Sequence, residues 1–344
     1  MSAATVVDRV SNPSEPRRFR PYPLLVSGHL QTIVSALLPG PLPAYVAEPI
    51  VIGVADGEAL VVHQEPCVGL AHDAPLAILV HGLGGDHSSP YLRRIAGRLA
   101  CRGLRVWRVD LRGCGHGLDH AYRPAHAGSS HDLAAVIAYA QQTYRPHKIA
   151  IAAFSLGGNI LLKLLSELAA VPQQYGVDPT GIARAVAIAA PIDLQRCSRN
   201  MERPTRMPYT RYYLRLLAEQ VRSRAERWEP WRVIQPTHAV RTLRQFDHWY
   251  TAPLAGFASA DEYYRRASSA PGLVDIQVPT CWLVDQHDPI VPFDKVPPAA
   301  MSRHVDLQVT RFGGHLGYLA MGPRGGLHRW LDEWTEHAVC QSLL

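Results

Sequence analysis

No stretch of this chain reaches the roughly 18 consecutive apolar residues that a membrane-spanning helix needs, so no helical span is expected. The opening segment, Met1 to Arg20, carries charge and proline without an apolar core and does not read as a secretory signal. Its arginines would suit organelle import, but Asp8, Glu15 and the prolines oppose that, and a cytoplasmic location is expected. Cysteine is sparse and scattered: none of the six (Cys67, Cys101, Cys114, Cys197, Cys281 and Cys340) forms a close pair with metal-binding spacing. Free thiols in a reducing compartment follow. The 17 histidines are dispersed as well, without a His-x-x-x-His and carboxylate set, so the sequence calls for no metal and no cofactor. Internal repeats and low-complexity tracts are absent. The net charge of +6 comes with no nucleic-acid-binding module and no basic–aromatic stacking pattern, so nucleic acid is not an expected partner.

What the chain does have is alternation. From about Ile50 onward, short apolar runs with strand character alternate with helical patterns, which predicts an α/β fold with a mostly parallel sheet covered on both faces. The first two runs, Ile50–Gly53 and Ala59–His63, flank Ala55-Asp56-Gly57-Glu58 and read as a hairpin at an antiparallel edge. Later strands are expected at Pro75–Val80, Arg105–Asp110, Lys148–Phe154, Ala183–Ala189, Thr280–Asp285 and Val305–Arg311. At 344 residues such a fold can form one domain.

The run Lys148 to Phe154 drives straight into Ser155-Leu156-Gly157-Gly158-Asn159, and a helical pattern follows. A turn this sharp holds its central residue in a strained conformation and demands small neighbours. The following helix start points free N–H groups at any oxyanion formed there. Ser155 is therefore a candidate nucleophile. The alternative is an idle serine in a small-residue turn.

Three further strand ends supply its partners. Pro75–Val80 ends in His81-Gly82-Leu83-Gly84-Gly85, whose backbone can approach a substrate closely. The N–H groups of Leu83 and Leu156 are the expected oxyanion donors. His81 reads as a structural hydrogen-bonding residue beneath that loop. Thr280–Asp285 leads to Gln286-His287-Asp288-Pro289, and Asp288 is the expected carboxylate that orients an imidazole, with Asp285 as its competitor. The last strand runs into Phe312-Gly313-Gly314-His315-Leu316-Gly317, an accessible position that makes His315 the expected general base.

Several segments in family order carry a resemblance. They are Gly28-His29-Leu30-Gln31-Thr32-Ile33, His81 to Gly85 with Ser89-Pro90-Tyr91, and Asp110-Leu111-Arg112-Gly113-Cys114-Gly115. They continue with Phe154 to Leu161, Tyr263-Tyr264-Arg265 with Ala267-Ser268-Ser269, Asp288-Pro289 and Gly313 to Gly317. The chain resembles α/β-hydrolases of the YheT-like branch, which are esterases or acyl-transferring hydrolases. It departs from that pattern at Ala153, where glycine is frequent, and fits loosely from Asn200 to Pro253.

The resemblance implies an eight-stranded-type sheet flanked by helices, with a helical cap inserted between the sixth and seventh strands at residues 192–278. Residues 1–47 would form an N-terminal extension packing on the single domain of residues 1–344. Within it, the signature from His29 to Thr32 is expected to be structural, and His116 lacks the ordering relation that favours His315. The implied activity is cleavage of a carboxylic ester, on a small-molecule substrate with an apolar acyl chain, through Ser155, His315 and Asp288. An acyltransferase with the same triad and a binding protein that retains the fold are the alternatives.

The alternation lapses between Pro191 and Pro279, where arginine, aromatics and proline crowd around helical pieces such as Tyr209 to Arg224. Tyr212, Tyr213, Trp228, Trp231, Trp249 and Tyr250 either wall a substrate pocket or pack the cap, and packing is the commoner role for any one. The arginines, from Arg196 to Arg232, read first as a solvated basic face and otherwise as a site for an anionic substrate or an anionic lipid surface.

Overall fold

In a computed structural model of the chain, residues 18–44, 46–229, 240–293, 298–322 and 325–344 are described. Eight strands form one sheet: β1 (Glu48–Gly53), β2 (Ala59–Gln64), β3 (Leu76–Val80), β4 (Arg105–Asp110), β5 (Ile149–Phe154), β6 (Ile182–Ile188), β7 (Thr280–Asp285) and β8 (Val305–Thr310). Their order is β1-β2-β4-β3-β5-β6-β7-β8. β1 and β2 form the expected antiparallel hairpin, β2 runs antiparallel to β4, and every later pairing is parallel.

The continuous apolar runs have a direct physical cause. Along β3, Leu76, Ile78 and Val80 enter one core, while Ala77 and Leu79 enter the other. β5 does the same, sending Ile149, Ile151 and Ala153 to one side and Ala150, Ala152 and Phe154 to the other. A parallel strand buried on both faces favours apolar side chains throughout, and where β4 buries Arg105, Arg108 and Asp110 each is hydrogen-bonded. The first core lies under helices α3 (Ser130–Thr143) and α4 (Leu156–Ala170). The second lies under α2 (Pro90–Ala100) and the C-terminal helix (Trp330–Leu343).

Between β6 and β7 the chain builds helices α5 (Leu194–Met201), α6 (Met207–Arg227) and α7 (Ala260–Ala267). A short helix, Leu243–Phe246, precedes α7 and runs into a π-helical turn at Asp247–Thr251. Asn159 on α4 ties this segment to the main body. Its buried amide donates to the carbonyls of Ala127 and Ala267 and accepts from Ser269 N–H. Among the described residues no helix is long and apolar enough to cross a membrane.

Near the N-terminus, α1 (Gly28–Leu37) folds back across the domain. Gln31 is fully buried: its amide nitrogen donates to Leu25 O and Leu319 O, and its oxygen accepts from Leu319 N–H. Thr32 Oγ1 accepts the N–H of His315 at 2.8 Å. The Gly28-to-Thr32 signature therefore braces the loop that carries His315. Replacing Gln31 with Ala strands the buried Leu319 N–H and removes two further bonds, to Leu25 O and to Leu319 O, which keeps the Tyr22 N–H, and Gln31→Ala is expected to lower stability by about 2 kcal/mol in urea unfolding. An unchanged midpoint would contradict this bracing role.

Candidate active site

Ser155 occupies the turn between β5 and α4 with φ 52° and ψ −119°, a conformation that residues with side chains rarely adopt. The turn is pinned by Ser155 N–H donating to Ile188 O at 2.8 Å. Gly82 packs so close that an added Cβ would lie 2.9 Å from Ser155 Cβ, so no larger residue fits there.

His315 lies 160 residues away in sequence, in the loop after β8, and its Nε2 stands 2.9 Å from Ser155 Oγ. Its Nδ1 stands 2.7 Å from Asp288 Oδ2. An ionised carboxylate only accepts, so Nδ1–H donates to Asp288 and Nε2 keeps the lone pair that faces the serine hydroxyl. All three residues are buried. The other oxygen of Asp288 accepts from Ile290 N–H and Val291 N–H at 2.7 and 2.9 Å, which fixes the carboxylate plane.

Asp285, the competing acid, is engaged elsewhere. It accepts from Gly313 N–H, Gly314 N–H, His287 N–H and Thr310 Oγ1. It thus holds the backbone of the His315 loop and makes no hydrogen bond to the imidazole. Gly314 itself has φ 63°, and a Cβ there would meet Gly28 O at 2.3 Å.

The loop after β3 divides its donors. His81 is buried, and its Nε2 accepts from Leu111 N–H at 3.1 Å, so Nδ1–H donates to Gly82 O. Burial lowers its pKa and keeps it neutral. Gly82 N–H is taken by Tyr91 Oη at 3.2 Å. Among the described residues, no protein acceptor engages the N–H of Leu83 or of Leu156, and both residues line the cavity at Ser155.

That cavity, open at its mouth, offers about 130 Å³ to a water-sized molecule between the strand ends and the β6–β7 segment. Leu83, Leu156, Met201, Leu217, Phe246 and Ile290 give it apolar walls. Of the five described aromatics among the six weighed from the sequence, Tyr213 alone lines it. Tyr212 and Trp249 are largely exposed, Tyr250 is buried, and Trp228 donates to Leu118 O. Trp231 lies outside the described residues, as does Arg232. Of the described arginines weighed with them, Arg224 alone reaches the cavity, donating to Gly113 O at 2.6 Å. Burial pushes the thiols of Cys114 and Cys197 up to about 12, so both stay protonated.

Sequence reasoning placed His29 in a structural signature without its partners, and missed Asp247 and the hydrogen bond from Gly82 N–H to Tyr91, for which no spacing gives a signal. His29 bridges α1 to α6, with Nδ1 2.9 Å from Tyr209 Oη and Nε2 2.7 Å from Arg206 Nη1. Asp247 lines the cavity and accepts hydrogen bonds from Thr251 Oγ1 and Tyr264 Oη, both at 2.7 Å. Burial pushes its carboxyl up to about 6, against those two bonds. The folded chain therefore keeps this proton where the unfolded chain has released it. Stability is greatest below the ordinary carboxylate pKa of about 4, falls as pH rises to about 6, and is level above that. Asp247→Asn is expected to raise stability near pH 8, by at most about 3 kcal/mol, and with it the thermal midpoint, and to change both little near pH 4. Thermal melts at both pH values check this; equal midpoints near pH 8 would contradict it.

Residues 77–323 match the model of the alpha/beta hydrolase family. The chain is 30% identical over 271 residues to YheT of Escherichia coli (strain K12), provisionally named an esterase, a match that covers 77% of each chain. It is 28% identical over 273 residues to a monoacylglycerol lipase of Saccharomyces cerevisiae, over 75% of this chain and 57% of the yeast protein. Among solved structures, the Pyrococcus furiosus esterase Pf2001 superposes with a TM-score of 0.54 at 15% identity, over 88% of this chain and 92% of the other. That likeness is one of fold. The strand order, the parallel core and these matches agree, and the chain belongs to the alpha/beta hydrolase family.

Proposed function

We propose that this protein is a serine carboxylic-ester hydrolase acting on esters with an apolar acyl chain. The observation that carries this reading is the unbroken relay from Ser155 Oγ through His315 to Asp288, at 2.9 and 2.7 Å, opening on an apolar cavity. Ser155 Oγ attacks the ester carbonyl while His315 Nε2 takes its proton. Asp288 stabilises the imidazolium that forms. The tetrahedral oxyanion is received by the N–H groups of Leu83 and Leu156, each contributing about 3 kcal/mol to lowering the barrier. His315 then returns the proton to the leaving alcohol, and water, deprotonated by the same nitrogen, releases the acid from the acyl-enzyme.

The segment at residues 192–278 acts as a cap that shapes the acyl site. Its anchors support this: Asn200 Nδ2 donates to Pro289 O and Ile290 O beside Asp288, and Tyr213 and Phe246 line the cavity. Such walls favour an aliphatic acyl chain over a charged one near the serine. Hydrolase and lipase names among the relatives support ester cleavage as the chemistry.

Hydrolysis of p-nitrophenyl esters of graded acyl length tests the reading. Ser155→Ala and His315→Ala are expected to lower kcat/KM by about 10³-fold or more. Wild-type rates surviving in either folded variant would overturn it. Asp288→Asn is expected to cost about 10²–10⁴-fold in kcat, because the carboxylate no longer selects the Nδ1–H tautomer. Asp285→Asn acts mainly on stability, and the reverse ranking would move the acid's role to Asp285. Product analysis with added alcohol separates the alternatives: release of free acid fits hydrolysis, and a new ester as the main product would make the protein an acyltransferase.

A further inference from the structure

Outside the cavity, three histidines dispersed in sequence meet around one buried carboxylate. His63 lies on β2, His87 in the loop after β3, and His116 in the turn after β4, while Asp110 ends β4. One ring nitrogen from each imidazole lies within 4.8 Å of the others, and Asp86, His87 and Asp110 form an overlapping group at the same reach. Asp110 has no exposed surface and accepts four kinds of donor: the N–H groups of His87 and His116, His63 Nε2–H and His87 Nδ1–H. Each of these two rings therefore commits one nitrogen to the carboxylate. Among the described residues, the other nitrogen of each, and both of His116, make no hydrogen bond to a protein group.

We propose that His63, His87 and His116 form a site for a divalent transition-metal ion of the zinc class, with the Asp110 carboxylate orienting the rings and balancing the charge. The donor set fits such an ion. Imidazole nitrogens suit zinc, nickel, copper and cobalt, whereas magnesium and calcium take oxygen ligands. Histidine ligands ordinarily donate their second N–H to a carboxylate or carbonyl, which is what Asp110 receives here from two rings. The rings of His63 and His87 stack with centroids 3.4 Å apart and planes 11° apart, and in the neutral imidazole that donates one N–H to Asp110 the second nitrogen carries the lone pair a cation needs.

Closure of the site requires all three rings to shift. Nitrogens at about 2.0–2.1 Å from a tetrahedral ion stand about 3.3 Å apart. The stacked pair has to splay, and His116 has to move in. His116 has room to do so: it is exposed, its ring centroid lies 4.8 Å from those of both other rings, and it sits between Gly115 and Gly117. His87 continues the loop that carries Leu83, so a bound ion would fasten that loop to β2 and to the turn after β4.

The test uses the full-length protein after exhaustive dialysis against a chelator. Co²⁺ titration is expected to give one ion per chain with visible d–d bands of tetrahedral character, and Zn²⁺ is expected to abolish them. His116→Ala, an exposed substitution that leaves Asp110 and its two rings in place, is expected to weaken Co²⁺ and Zn²⁺ binding by about 10–100-fold. Zn²⁺ is also expected to raise the thermal midpoint of the wild type and not of that variant. Equal affinity in His116→Ala and wild type, or no stoichiometric Co²⁺ binding, would overturn the proposal. None of these readouts depends on ester hydrolysis.

Discussion

The structure depends on holding one serine where a serine does not rest comfortably. At φ 52° and ψ −119°, Ser155 carries a backbone strain of about 1–3 kcal/mol, tolerated only where the surroundings over-determine it. Those surroundings are specific. β5 is buried on both faces, α4 begins at the next residue, and Ile188 O takes the Ser155 N–H. Gly82 and Gly157 leave only enough space for the turn to form. The methyl group of Ala153, two residues before the serine, is absorbed without exposure in the core between β5 and its helices.

Strain fixes the serine; hydrogen bonding fixes its partner. His315 stands on a loop between β8 and a small two-stranded ribbon (Leu319–Met321 with Leu327–Arg329), and loops of this kind drift unless they are braced. Here the bracing comes from three directions. Asp285 holds Gly313 and Gly314 from β7, Thr32 holds the His315 N–H from α1, and Gln31 holds Leu319 from both sides. The imidazole is therefore held toward Ser155 with its direction already set. The histidine loop and the N-terminal helix act as one unit across nearly the whole chain length.

The sheet was legible in the sequence because its central parallel strands, such as β3 and β5, are buried on both faces and so read as unbroken apolar runs. Predicted strands such as Arg105–Asp110 and Thr280–Asp285 coincide with β4 and β7, and the hairpin at Ala55–Glu58 lies between β1 and β2. The order of Ser155, Asp288 and His315 could be read because each follows a strand that ends at the same edge of the sheet. The choice between Asp285 and Asp288 could not be closed by spacing, since both lie near one strand end; their tertiary hydrogen bonds tell them apart. The cap was harder. Its aromatics point by helix rotation and packing, so Tyr213 faces the cavity while its neighbour Tyr212 faces solvent. The cluster of His63, His87 and His116 left no local signature at all, because β2, β3 and β4 bring it together through sheet topology rather than through sequence spacing.

The central claim is that Ser155 is an activated nucleophile, and the most direct measurement is covalent labelling. The folded protein is incubated with a fluorophosphonate, and its intact mass and peptide map are read by mass spectrometry beside Ser155→Ala. The account predicts one phosphonyl adduct per chain, mapped to Ser155, formed in the wild type and absent from the variant. A folded wild type that takes no label, or a label mapped to another residue, would contradict it and favour a binding protein that keeps the fold without the chemistry.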